Sequence, residues 1–348
     1  MAVPDSIYLP GHSLTSTPPK KILIIFLTGN PGLIGYYEIF LTHLHALLNE
    51  KSGSAQESGV HFEVHGSSLP GFETEELRDA ERRKRWKDLG LDHDAPFSLG
   101  DTIRAVEQNI LNIIKKSDDN RDADVILIGH SLGAFVALEL IERHRQRLEI
   151  KEAVEGEPSI TGGIGLFPCI SEMRQSKSGI RLQKLAQISF FKTGLPHFLF
   201  LLVSLIPLVI LAPLVRLVTQ MPKDAAAVTT AFLKSRRGIR SALFLACDEI
   251  ETITADKWSD EIWGAAHPSP TGVPRPRLYL FFGEDDHWVS AKTRDELIAM
   301  RGGEEDWRPR MEVDTTGLPH GFCIEHSVPV AEKVAVYIRE IVSIGKYD

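Results

Sequence analysis

A serine at 131, an aspartate at 286 and a histidine at 320 are the residue types that acyl transfer to and from a hydroxyl requires. A serine hydroxyl is a poor nucleophile near neutral pH. It needs an imidazole to take its proton and a carboxylate to hold that imidazole in the right tautomer. Ser131 lies in Gly129-His130-Ser131-Leu132-Gly133, after the apolar, β-branched run Asp124-Val125-Ile126-Leu127-Ile128 and before the helix-forming run Ala134-Phe135-Val136-Ala137-Leu138-Glu139-Leu140. The pattern predicts a strand-to-helix turn with the serine at its apex, a nucleophile elbow, where backbone crowding on both sides calls for glycine. At the helix start, the backbone N–H of Leu132 would face a developing oxyanion with the helix dipole behind it.

The acid and base are expected after later strands, in the chain order serine, acid, histidine. Asp286 follows the strand-like 277–282 within Gly283-Glu284-Asp285-Asp286-His287-Trp288 and is chosen as the acid; Asp285 is the alternative, and either could simply cap a turn. His320, in Gly317-Leu318-Pro319-His320-Gly321-Phe322, is the base, held in a sharply turned loop. His326 falls near the start of the last helix and reads as a surface or capping residue. The second oxyanion donor is expected in Thr28-Gly29-Asn30-Pro31-Gly32 after the first strand. There Asn30 keeps a backbone N–H that Pro31 lacks, although a plain strand-to-helix turn would have the same composition.

The elements that must position these residues alternate. Strands are predicted at 21–27, 60–65, 124–128, 160–167, 277–282 and 310–314. Helices are predicted at 37–48, from Ser98 and Asp101 to Lys116, after Ser131, at 291–300 and at 329–344. Such alternation argues for a mostly parallel, doubly wound α/β sheet covered on both faces, with chemistry at the carboxyl ends of the strands. Residues 73–94 read as a solvated connection of mixed charge. Between Pro168 and Pro276 the rhythm breaks into helical sequence, long enough for a lid inserted after the sixth strand. The organisation expected is a core in two parts, 20–167 and 277–348, with a helical, membrane-associating insertion at 168–276.

A net charge of −8 excludes nucleic acid as an expected partner. Cys169, Cys247 and Cys323 are scattered, without metal-ligand or disulfide spacing, so neither a disulfide framework nor a zinc site is indicated, and serine-based chemistry calls for no cofactor. The first ten residues lack the basic start and apolar core of a secretory signal, which makes synthesis in the cytosol the expectation.

Together, the Gly29-Asn30-Pro31-Gly32 loop with tyrosines at 36 and 37, the Ser131 elbow, Asp286-His287-Trp288 and Pro319-His320-Gly321 resemble those of an α/β-hydrolase. More narrowly, they are similar to the lipid droplet-associated hydrolase family, from about residue 22 to the last helix. The resemblance implies residence on lipid droplets and the endoplasmic reticulum, turnover of sterol esters or other neutral lipids, and catalytic roles for Ser131, Asp286 and His320.

The run bounded by Leu195 and Val215 contains no Asp, Glu, Lys or Arg. Its 21 residues could span a bilayer by length, but Pro196, Pro207 and Pro213 argue for two short helices instead. Being apolar on all faces, such a hairpin is suited to burial in a droplet monolayer or one membrane leaflet, with Lys192 and Arg216 at headgroup level. A lid folded over an acyl pocket is the soluble alternative. The function expected is a lipid ester hydrolase; a droplet-bound organiser with a vestigial active site and a lipid acyltransferase are the alternatives.

Overall fold

The structure, a computed structural model, describes residues 3–11, 20–50, 60–74, 84, 86–92, 95–115, 123–150, 159–264, 269, 271–305 and 307–344. Seven strands form one sheet in the order β1-β3-β2-β4-β5-β6-β7: β1 (Ser6–Leu9), β2 (Lys20–Leu27), β3 (Val60–Ser67), β4 (Asp124–His130), β5 (Ile160–Leu166), β6 (Arg277–Gly283) and β7 (Arg310–Asp314). All neighbours are parallel except β1, which pairs antiparallel with β3 at the edge. The sequence reading missed β1. Only four residues long, with Ile7 buried and Tyr8 exposed, it shows too little alternation to stand out beside Pro4 and Pro10.

The central strands carry unbroken apolar runs, Ile22 to Leu27 in β2 and Val125 to Ile128 in β4, because both faces are covered there. On one side Ile22, Ile24, Phe26, Ile126 and Ile128 meet α1 (Glu38–Asn49) and the last helix, Ser327–Ile344. On the other, Leu23, Ile25, Leu27, Val125 and Leu127 meet α2 (Leu99–Lys115) and α3 (Leu132–Glu149). A short 3-10 turn, Ile34–Tyr37, leads into α1. At the start of α2, the Ser98 hydroxyl accepts from Asp101 N–H while the Asp101 carboxylate accepts from Ser98 N–H, so two otherwise orphaned donors are satisfied reciprocally.

Residues 73–94 are not wholly a solvated connection. Trp86 and Leu91 are buried with Phe97 and Ala105, an apolar cluster masked in the sequence by surrounding charges; positions 75–83, 85, 93 and 94 lie outside the described residues. Between β5 and β6 the described chain is helical: α4 (Lys177–Ala186), α5 (Ser189–Lys192), α6 (Gly194–Ser204), α7 (Leu208–Thr219), α8 (Lys223–Lys234) and α9 (Gly238–Thr252). This insertion follows the fifth strand, not the sixth, since the described chain between β3 and β4 adds only helix.

Helices α6 and α7 are bent by 117° at Pro207. Lys234 of α8 stabilises the break, its ammonium donating to the carbonyls of Val203, Ser204 and Ile206 that the interrupted helix leaves open. Among the described residues no single helix is long and apolar enough to cross a membrane, but this bent pair passes that test together. Its outer surface is strongly apolar: Leu205, Val209, Leu217 and Val218 are 72–82% exposed. Leu211 and Val215 turn inward against Ala226.

A candidate active site at the ends of the parallel strands

The turn after β4 places Ser131 at φ 54°, a strained positive-φ conformation that a non-glycine residue adopts at a cost of about 1–3 kcal/mol. Its surroundings explain the flanking glycines. A Cβ on Gly129 would collide with the carbonyl of Gly133, and one on Gly133 with the carbonyl of Leu27 on the neighbouring strand. The turn is fixed by Ser131 N–H donating to Leu166 O at 2.9 Å and by Ala134 and Cys169 N–H donating to Ser131 O.

Asp286 and His320 come from loops after β6 and β7 and meet the serine above the sheet. His320 Nε2 is 2.9 Å from Ser131 Oγ, and His320 Nδ1 is 2.6 Å from Asp286 Oδ2. With Nδ1–H donating to the carboxylate, Nε2 is left as the acceptor for the serine proton. Burial pushes the Asp286 carboxyl upward, but its bond to His320, the charge of His320 and the N–H of Trp288 outweigh this and hold it below the usual carboxylate range. Asp285, the alternative acid, is exposed. Cys169 Sγ lies 3.4 Å from the same serine oxygen; burial, and then the charge of Asp286, push its thiol well above the usual range, so it stays protonated.

The Gly29-Asn30-Pro31-Gly32 loop sits beside the elbow because β2 and β4 are neighbours, with Leu27 opposite Gly129. Neither Asn30 N–H nor Leu132 N–H donates to a protein acceptor among the described residues. The Asn30 side chain turns to the insertion, donating to Ala242 O at 3.0 Å and Glu249 Oε1 at 2.8 Å on α9. Glu249 is wholly buried there. Desolvation raises its pKa to about 8, against the opposing bond from Asn30 and aided by the charge of Asp248.

A second chain of hydrogen bonds ties the three loops together, and its direction is determined. His130 Nε2 is 2.8 Å from the His320 carbonyl, which can only accept, so Nε2 carries the proton. Nδ1 then accepts from the Tyr37 hydroxyl at 2.7 Å, and the tyrosine oxygen accepts from Gly29 N–H at 3.3 Å. Burial, reinforced by the charge of His320, pulls His130 down to about 3, and burial drives Tyr37 well above its ordinary value. Both therefore stay neutral across the physiological range. Sequence reasoning assigned no role to Tyr37, noticed only in the tyrosine pair of the family resemblance, or to His130, noticed only as part of the elbow, and it missed Glu249, because a glutamate at a helical position is too common to single out.

The family model described as lipid-droplet associated hydrolase matches residues 20–323. The chain belongs to that family. Relatives include lipid droplet-associated hydrolases of Gallus gallus, 25% identical over 326 residues (92% of this chain, 85% of that protein), and of Drosophila melanogaster, 24% identical over 354 residues (98% and 95%). Among solved structures, a peroxisomal α/β-hydrolase of Saccharomyces cerevisiae superposes with a TM-score of 0.57 at 15% identity (96% of this chain, 81% of that one). A haloalkane dehalogenase of Bradyrhizobium elkani superposes with a TM-score of 0.55 at 13% identity (98% and 100%). The fold is that of the α/β-hydrolases, and the protein is a hydrolase of that type.

Proposed function

We propose that this hydrolase cleaves carboxylic esters of lipids, a sterol ester or another neutral lipid, through Ser131, His320 and Asp286. The unbroken hydrogen-bonded path from Ser131 Oγ through His320 to the buried Asp286 carboxylate carries this reading. His320 takes the serine proton as Oγ attacks the ester carbonyl. The tetrahedral oxyanion is held by the N–H groups of Asn30 and Leu132. As the intermediate collapses, the C–O bond to the alcohol breaks and the imidazolium gives its proton to the departing oxygen. Water activated by the same imidazole then attacks the acyl-serine, releasing the carboxylic acid and restoring Ser131.

The site of action proposed is the surface of lipid droplets and the adjoining endoplasmic reticulum membrane. The names of the relatives support the droplet, and the exposed apolar outer surface of α6 and α7 suits either lipid surface. That surface would sink into a phospholipid monolayer, the bend at Pro207 keeping both ends on the aqueous side. The test is release of fatty acid from a sterol-ester emulsion. The intact protein should hydrolyse it, and Ser131→Ala should lose turnover while still binding the emulsion. Turnover unchanged in Ser131→Ala would refute the chemistry. Droplet phenotypes that survive Ser131→Ala yet vanish on removal of residues 195–215 would favour the organiser instead, and ester formation with an added sterol would favour acyl transfer.

A further inference from the structure

Residues 173–223 contain seven cations and no carboxylate, in a chain whose formal net charge is −8; set those seven aside and the remainder stands at −15. All seven, Arg174, Lys177, Arg181, Lys184, Lys192, Arg216 and Lys223, are exposed. A solvated surface in an acidic protein ordinarily interleaves both signs. Here one sign is concentrated on the segment that also exposes the most apolar side chains.

Helix α4 shows how the two are combined. Lys177, Ile180, Arg181, Lys184 and Leu185 recur at three- and four-residue spacing and are exposed, whereas Leu182 faces inward onto Cys247 and Ile250 of α9. Ile188 and Phe190, 54% and 57% exposed, continue the apolar component toward α6. Nearby carboxylates are otherwise engaged: Glu249 accepts from Asn30, Asp248 from Leu99 N–H, and Glu251 pairs with Lys192 at 3.3 Å. Lys177, Arg181 and Lys184 have no ion-pair partner among the described residues. The first turn of α4 adjoins the active site, because Ser178 N–H donates to His287 O at 2.9 Å and the charges of Arg181 and Lys177 bear on His287, beside Asp286.

We propose that the exposed face of α4 and the α6–α7 hairpin together dock on an anionic phospholipid surface. The aliphatic and aromatic side chains enter the acyl boundary, while Lys177, Arg181 and Lys184 meet headgroup phosphates and carboxylates. The inference rests on the lipid-surface reading above and adds its lipid chemistry: a zwitterionic surface would offer the hairpin its apolar contacts but leave these three cations without counter-charge. Docked in this way, the Asp286 side of the active site faces the lipid from which the ester is drawn.

The experiment is flotation of the full chain with droplets coated in phosphatidylcholine alone or in phosphatidylcholine mixed with phosphatidylserine, at low and high salt. The intact protein should bind both and prefer the anionic coat. In the variant K177Q/R181Q/K184Q that preference should disappear. Near an anionic surface each cation strengthens partitioning about fivefold, so the triple variant should bind it on the order of 100-fold more weakly at low salt. The difference should shrink as salt screens the surface. Unchanged melting and unchanged hydrolysis of a water-soluble ester control for folding. Equal binding of intact protein to both coats, or a variant that keeps the anionic preference, overturns this inference and leaves lipid docking standing; binding to neither coat overturns both.

Discussion

Replacing Glu249 by glutamine should make the protein more stable at neutral pH. Its carboxyl has an ordinary pKa of 4.5 in the unfolded chain and about 8 in the folded one. Between those values the folded protein keeps a proton that the unfolded chain releases, so stability declines as pH rises, by about 1.4 kcal/mol for each pH unit. At pH 7 the accumulated loss is about 3 kcal/mol, and it is complete only above pH 8. Glutamine never ionises, is nearly isosteric, and keeps the oxygen that accepts from Asn30. With an unfolding entropy of about 2.1 cal/mol/K per residue, 3 kcal/mol in a chain of 348 residues corresponds to a rise in Tm of about 4 °C. Scanning calorimetry of both proteins at pH 5, 6, 7 and 8 should show nearly equal Tm values at pH 5, diverging steadily to pH 8. Parallel curves would refute the claim that the folded state holds this carboxyl protonated.

Two further substitutions probe how the loops are held. Tyr37→Phe removes the hydroxyl between Gly29 N–H and His130 Nδ1, leaving two buried polar groups unpaired. It should cost about 1–3 kcal/mol of stability per unpaired group, measured by denaturant unfolding, and should lower kcat more than it changes KM. Gly133→Ala drives a methyl group into the Leu27 carbonyl, and since Leu27 cannot retreat without breaking its pairing with Gly129, soluble expression should fall sharply beside the control Gly90→Ala, where space is open. Because Gly90 itself has φ 71°, that control should still lose a little stability from backbone strain alone.

The parts of the fold most legible in the sequence are those with strong local constraints. The run from Val125 to Ile128 is buried on both faces, and a strand in that setting must be apolar throughout. Gly129 and Gly133 betray a turn too crowded for a side chain. Asp286 and His320 stand out because each follows a strand-like run within a short turn, and parallel strands deliver their ends to one edge of the sheet. The break at Pro207 was legible because proline cannot donate within a helix. What remained hidden depends on contacts that no local sequence pattern encodes. Glu249 lies 219 residues from Asn30, and nothing in its helix marks it as buried. Trp86 and Leu91 are isolated among charges, so their burial depends on Phe97 and Ala105 being carried to them. The bond from His130 to the His320 carbonyl likewise exists only once β4 and the loop after β7 are in place.

The central claim is that Ser131 is made nucleophilic by His320. A fluorophosphonate probe, which phosphonylates an activated serine and loses fluoride, tests it most directly when the adduct is located by peptide mass spectrometry. The account predicts a single adduct on Ser131 in the intact protein, its absence in Ser131→Ala, and severely slowed labelling in His320→Ala. An intact, folded protein that fails to react in the presence of lipid, or one labelled on another residue, would contradict it.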